Sequence, residues 1–163
     1  MSTKKISRVV ALVASVALVS SITTAPSQAI PKNDTQTLVS ADWLQKNIND
    51  PKIVVIEVSA EEGLYERGHI TGAIKVSWTK ELVDPVNRNI LSQASFQKLA
   101  RKAGIDKDST VVFYGDNNNW FAAWGAWVFN IYGAKDVRLL NGGRTKWEKD
   151  GRALTTAVPT FSA

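Results

Sequence analysis

The sequence contains no cysteine and only one histidine, His69, among its 163 residues. Without cysteine, the chain alone cannot form a thiolate nucleophile, a zinc–thiolate site, a disulfide or a lipidated-cysteine anchor. A single histidine in a turn between two glycines indicates a structural side chain with satisfied hydrogen bonds, rather than a general base or a metal ligand. The sequence therefore predicts neither a metal site nor a bound cofactor.

The N-terminus has the layout of a secretory signal. Three positive charges occur in the first eight residues, an apolar run extends from Val9 to Ile22, and small residues at Ser27 and Ala29 suit a cleavage site. The apolar run is shorter than the roughly 20 residues that a membrane-spanning helix needs. We predict a signal peptide over residues 1–29 and a polar linker over 30–37. The protein is then exported, to the periplasm, cell envelope or medium, and contacts the membrane only through the signal.

The positive charge of the chain is concentrated in this leader. The formal net charge is +5, and the leader holds three basic residues and no acidic one. Its removal leaves too little excess charge to indicate a nucleic-acid partner.

Strands and helices alternate along the rest of the chain. Apolar runs rich in β-branched residues predict strands at Leu38–Val39, Ile53–Val58, Ala73–Val76, Thr110–Tyr114 and Val137–Leu140. Helical spacing, with caps at Ser40 and Ser92, predicts helices at Ala41–Ile48, Phe96–Ala103, Trp120–Tyr132 and Arg144–Asp150. This order predicts one α/β domain over 38–154, an open parallel sheet of about five strands with helices on both faces. Residues 155–163 are assigned to a linker or tail.

The loop after the strand Thr110–Tyr114 is the first place to look for a site, because ligands of open α/β sheets bind beyond the carboxyl ends of the strands. Its backbone N–H groups and the following helix predict a cradle for an anion. The candidate anion-loop residues are Gly115, Asp116, Asn117, Asn118, Asn119 and Trp120.

Two motifs carry a family resemblance that extends from Leu38 to Leu154. They are Gly68-His69-Ile70-Thr71-Gly72-Ala73 and Leu140-Asn141-Gly142-Gly143 followed by Trp147. With these motifs the chain resembles the rhodanese, or thiosulfate sulfurtransferase, family. The resemblance implies structural roles for Gly68, His69, Ile70, Gly72, Ala73, Asn141, Gly142, Gly143 and Trp147. Gly142-Gly143 could instead bind a phosphate, but the sequence here lacks the further glycines of phosphate-binding motifs. We therefore interpret these residues as a tight strand-to-helix turn.

The stretch Tyr114 to Ala123 resembles the first, non-catalytic half of bacterial tandem-domain sulfurtransferases. The resemblance implies that the persulfide-forming cysteine of active domains belongs at the position of Gly115. It also implies sulfane sulfur transfer from thiosulfate to cyanide or a thiol by the whole protein. The chain itself is predicted to be inactive alone, with a cysteine-bearing rhodanese domain as partner and small sulfur oxyanions as ligands. The alternative is an exported anion-binding or interaction module without enzymatic activity.

Two further groups of residues have competing interpretations. Glu57, Glu61, Glu62 and Glu66 are interpreted as exposed charges after a strand rather than as acid–base carboxylates. The helix Trp120–Tyr132 is apolar nearly all round, which fits either burial within the domain or an interface. Its candidate interface residues are Trp120, Phe121, Trp124, Trp127 and Val128.

Overall fold

The structure, a computed structural model, describes residues 37–160. The predicted signal peptide, residues 30–36 of the predicted linker and residues 161–163 of the predicted tail lie outside the described residues. Within 37–160, no helix combines the length and the hydropathy needed to cross a bilayer.

Five parallel strands form one open sheet, as the sequence predicts. The strands are β1 Leu38–Val39, β2 Ile53–Glu57, β3 Ile74–Lys75, β4 Thr110–Tyr114 and β5 Asp136–Leu140. Their order across the sheet is β1-β5-β4-β2-β3, and every neighbouring pair is parallel. Because all strands run in the same direction, each connection between them is a crossover, and helices form these connections.

Five α-helices lie between the strands, and a sixth follows β5. Ser40 and Ser92 cap α1 and α4 as predicted, since each hydroxyl oxygen accepts a hydrogen bond from the backbone N–H three residues later. Two four-residue helices, α2 and α3, have no counterpart in the sequence prediction, because one turn is too short to show helical periodicity. The helices are α1 Ala41–Asn47, α2 Leu64–Arg67, α3 Trp78–Glu81, α4 Gln93–Lys102, α5 Trp120–Ile131 and α6 Gly143–Lys149.

The sheet separates two apolar clusters. Val54 and Ile56 of β2 point into a cluster that includes residues of α4 and α5. Val55, between them, points to the other face and packs with residues of α1 and α6. Successive side chains of a strand alternate between faces, so a continuous apolar run is the pattern that a sheet covered on both sides requires.

The C-terminal segment of the described chain packs onto the domain. Thr155, which the sequence assigns to a linker or tail, pairs in antiparallel fashion with His69 through two backbone hydrogen bonds of 2.8 Å. Contacts of the domain therefore extend beyond Leu154, the predicted boundary.

Candidate functional site

The loop after β4 bends through three consecutive residues in the left-handed region. Asn117, Asn118 and Asn119 have φ values of 45°, 54° and 64°, a conformation that asparagine tolerates better than most residues with a side chain. This bend closes the short connection between the central strand and α5, and it explains the run of three asparagines.

Most backbone N–H groups of this loop already have protein acceptors. The Gly115 N–H donates to Oδ1 of Asn119 at 3.0 Å, and the Asp116 N–H donates to the Ser59 hydroxyl at 3.3 Å. The N–H groups of Asn119 and Trp120 donate to carbonyl oxygens within the loop. The predicted anion cradle stays a prediction, and these contacts leave it fewer donors than the sequence suggests.

Asp116 places a carboxylate in the region where the anion was expected. Its oxygens accept hydrogen bonds from the N–H groups of Ala60, at 3.0 Å, and of Glu61, at 2.9 Å. These two residues follow the neighbouring strand β2, so the side chain joins the loops at the carboxyl ends of β2 and β4. An external anion at this point meets a fixed negative charge of the protein itself.

Gly115 is buried and has no room for a side chain. A Cβ atom on its backbone would lie 2.1 Å from the carbonyl oxygen of Val58, far inside van der Waals contact. The position that the family resemblance assigns to the nucleophilic cysteine is therefore closed in this backbone conformation.

A buried ion pair lies beneath the loop. The guanidinium Nη1 of Arg144 donates to the two carboxylate oxygens of Glu57 at 3.0 and 3.1 Å, and the two side chains are 5% and 1% exposed. The hydroxyl of Tyr114 also donates to Glu57 and accepts the N–H of Ile70 at 3.0 Å. Burial, followed by the Glu57 charge, raises the pKa of Tyr114 well above its ordinary value.

The prediction that Glu57 is an exposed charge is wrong. The carboxylate lies at the end of an inner strand, and Arg144, 87 positions away in sequence, compensates its charge. The sequence did carry a signal for this pair, namely one acidic residue within a β-branched run that predicts burial on both faces.

Arg144 also connects the two family motifs to the loop. Its Nη2 donates to the carbonyl of Gly68 at 2.5 Å, and its backbone N–H donates to the carbonyl of Gly115 at 3.0 Å. The preceding residues, Gly142 and Gly143, form the turn from β5 to α6 with φ values of 82° and 55°. A Cβ atom at Gly143 would lie 2.4 Å from Oδ1 of Asn119, so glycine permits the close approach of the turn and the loop.

His69 is fully buried, and both of its ring nitrogens lie beside backbone carbonyl oxygens. Its Nδ1 lies 3.0 Å from the carbonyl oxygen of Tyr65 and its Nε2 lies 3.1 Å from that of Ala157, while its ring stacks on Tyr65 at 3.7 Å. The Tyr65 hydroxyl donates to the carbonyl of Ala73, and burial, with smaller contributions from Glu57 and Glu66, raises the pKa of Tyr65 to about 12. These contacts fit the structural role expected for the motif.

The candidate interface residues of α5 differ in exposure. Trp120 is 76% exposed and Trp127 is 49% exposed, whereas Phe121 and Trp124 are half-buried. Val128 is fully buried in the core cluster, so its inclusion among interface residues is wrong. The helix presents this residue to the sheet, where it packs as part of the core.

Comparison with protein families decides where this architecture belongs. The family model for the rhodanese-like domain matches residues 40–150. The chain belongs to the rhodanese-like domain family. This rhodanese-like domain has an all-parallel five-stranded sheet, with both signature motifs packed around the loop after the central strand.

Relatives with sulfur-related names support the same assignment. The chain is 51% identical over 126 residues to the sulfur carrier protein TtuD of Thermus thermophilus, covering 77% of this chain and 44% of that protein. It is 48% identical over 128 residues to a putative thiosulfate sulfurtransferase of Saccharopolyspora erythraea, covering 78% and 46%. The chain thus spans less than half the length of these relatives.

Solved structures agree with the fold. SseA from Escherichia coli, described as a 3-mercaptopyruvate sulfotransferase with the rhodanese fold, superimposes with a TM-score of 0.70 at 27% identity, covering 78% of this chain and 53% of that one. YnjE superimposes with a TM-score of 0.67 at 32% identity, covering 76% of this chain and 31% of that one.

In the part of the chain that the structure describes, no group of three or more acidic or histidine side chains is arranged to hold a metal ion.

Proposed function

We propose that this rhodanese-like domain is the non-catalytic half of a thiosulfate sulfurtransferase-type protein. The observation that carries the proposal is Gly115, which has no space for a side chain in a chain that contains no cysteine. The family resemblance places the nucleophilic cysteine of active domains at this position. Nucleophilic sulfur transfer requires a thiolate, which a glycine cannot provide.

The proposed whole-protein reaction transfers sulfane sulfur in two displacements. A cysteine thiolate of the partner domain attacks the outer sulfur of thiosulfate, the S–S bond of thiosulfate breaks, and sulfite leaves with the electron pair, which produces a persulfide. Cyanide or a thiolate then attacks the outer persulfide sulfur and regenerates the cysteine thiolate. In this proposal the present chain forms no covalent intermediate, and its role is to bind the partner and support the partner's active site.

The exposed part of α5 is the proposed contact surface. Trp120 and Trp127 are large, exposed aromatic residues, the type that dominates the binding energy of protein interfaces. Trp120 also directly follows the loop Gly115–Asn119, which the family resemblance aligns with the active-site loop of catalytic domains. A partner bound there would cover the loop and the first turn of the helix together.

The test combines activity with binding. The chain alone should form no thiocyanate from thiosulfate and cyanide, whereas adding a separately produced rhodanese domain with a cysteine after its central strand should give a complex by calorimetric titration. Trp120→Ala should weaken that association tenfold or more, as for a central aromatic contact. Gln97→Ala, at an exposed position of α4 and outside the proposed contact surface, is the control and should leave affinity unchanged. Thiocyanate formation by the chain alone would refute the proposal.

The alternative of a free-standing anion-binding module has less support. The Asp116 carboxylate already accepts the N–H groups of Ala60 and Glu61, and its charge opposes an added anion. Calorimetry of the chain with thiosulfate separates the two functions. If the chain binds thiosulfate without any partner, the result favours the anion-binding module. If no heat of binding is measured, it favours the non-catalytic half of a sulfurtransferase.

We also propose that the protein is exported through residues 1–29. The charged start, short apolar run and small residues at 27–29 support this proposal. Fractionation of cells that express the full chain tests it, with a shortened chain in the envelope or medium as the expected result.

A further inference from the structure

A groove of about 550 Å³ opens beside α5, on the side of the short helix α3. Its walls are largely aromatic, and Trp78 and Phe121 stack at 4.7 Å within them. Pro85 and Arg88 of the segment 83–88 also line the groove, as do Trp120 and Trp124. The volume falls in the range of small-molecule sites, which are also lined mainly by apolar and aromatic groups with few polar ones.

One cationic side chain lines this groove. The guanidinium of Arg88, an exposed residue, makes no hydrogen bond or ion pair within residues 37–160, as is also true of Arg101. Because a guanidinium group only donates, a matching ligand supplies an acceptor. The indole nitrogen of Trp124 is the one buried side-chain polar atom without a hydrogen bond among the described residues, and it is closed off from solvent.

The acidic residue of the groove, Asp84, does not pair with this guanidinium. The carboxylate of Asp84 accepts the backbone N–H groups of Val86 and Asn87, both at 2.8 Å, and so holds its own turn together. The hydrogen bond from Asn87, and then that from Val86, makes the largest contribution to lowering the pKa of Asp84 below its ordinary value. The same turn holds Arg88 at a φ of 54°, a left-handed conformation that is uncommon for a residue with a side chain.

We propose that this groove binds an organic anion with a planar apolar body and one acidic group. The apolar body lies against Trp78 and Trp120, and the acidic group pairs with Arg88. Thiosulfate does not fit this description, because it is small and has no apolar surface. All the lining residues belong to the described chain. Trp120 is also part of the proposed contact surface for the partner domain, so the groove is tested on the chain without a partner.

The test uses 2-naphthoate as the probe and the full chain in calorimetry. Its uncharged analogue, 2-naphthamide, has the same rings and should bind about two- to fivefold more weakly, the range expected for a solvent-accessible ion pair. Arg88→Gln should reduce the affinity for 2-naphthoate by the same factor and leave that for 2-naphthamide unchanged. Arg101→Gln removes an exposed arginine of α4, outside the groove lining, and should change neither affinity.

Indole N–H signals in nitrogen-15 NMR spectra locate the bound probe. The signals of Trp120 and Trp124, assigned with Trp124→Phe and Trp120→Phe variants, should shift on addition of 2-naphthoate, while that of Trp147 on the other face of the sheet should not. Equal affinity for the two probes, equal effects of the two arginine variants, or a shift confined to Trp147 would overturn the proposal. Self-association of the chain that buries the groove before any probe is added would overturn it as well.

Discussion

Arg144 and Glu57 form a buried ion pair that lies beneath the loop of the candidate site. The pair joins the end of β2 to the start of α6, with Nη1 of Arg144 3.0 and 3.1 Å from the carboxylate oxygens. The same arginine donates to the carbonyls of Gly68 and Gly115. One side chain thus links both signature motifs to the loop where an active rhodanese domain is expected to carry its cysteine.

Glu57→Gln should lower the free energy of unfolding by about 3 kcal/mol, because Arg144 loses its buried counterion and keeps only the half-exposed Glu148 carboxylate, at 2.8 Å. Urea denaturation measures the loss. Glu66→Gln is the control, since the Glu66–Lys75 pair is exposed and should contribute less than about 1 kcal/mol. Equal losses in the two variants would contradict a special role for the buried pair.

Asn119→Ala should destabilise the domain by about 1 to 2 kcal/mol more than Asn118→Ala. Both residues have left-handed backbone conformations, so the cost of placing alanine there is similar and cancels in the comparison. Only Asn119 uses its amide group, which accepts the Gly115 N–H at 3.0 Å and donates to the Leu140 carbonyl at 2.7 Å. Thermal and urea unfolding of the two variants give the difference, and equal stabilities would show that these bonds do not hold the loop.

Gly115→Cys should not produce sulfurtransferase activity and should cost about 1 to 3 kcal/mol of stability, as overpacked sites do. The added Cβ meets the Val58 carbonyl oxygen at 2.1 Å, so the loop must move before the thiol fits. Thiocyanate formation and urea denaturation measure the two effects. Ala123→Cys, at an exposed position of α5, controls for the thiol and should retain full stability. Thiocyanate above background from the Gly115 variant would contradict the prediction.

Asp136→Asn should reduce the amount by which the free energy of unfolding falls on acidification. Hydrogen bonds from Arg138, at 2.7 Å, and from Thr110, at 2.8 Å, hold the pKa of the Asp136 carboxyl below its ordinary value of 3.8. A lowered folded-state pKa stabilises the fold above pH 3.8, and this contribution disappears as the pH falls through the folded-state value. The stability difference between the native chain and the variant should therefore narrow from pH 7 to pH 3. A constant difference over that range would contradict the assignment.

The strand and helix order follows from local pattern. The β-branched runs at 53–58 and 110–114 predict strands buried on both faces, and the serines before α1 and α4 predict their caps. These signals are carried by residues close together in the sequence, so the sequence alone determines them. The absence of cysteine is likewise a property of the sequence alone, and it determines that this chain cannot form a persulfide.

The tertiary structure decided the chemistry of the site. Glu57 looks like an exposed charge until Arg144 packs against it, and Val128 resembles its exposed aromatic neighbours until α5 takes its orientation on the sheet. From the sequence alone, Gly115 could be interpreted as a position where a cysteine side chain would still fit. The structure instead packs it so closely against Val58 that no side chain fits. Each of these facts depends on contacts between distant segments, which local periodicity does not encode.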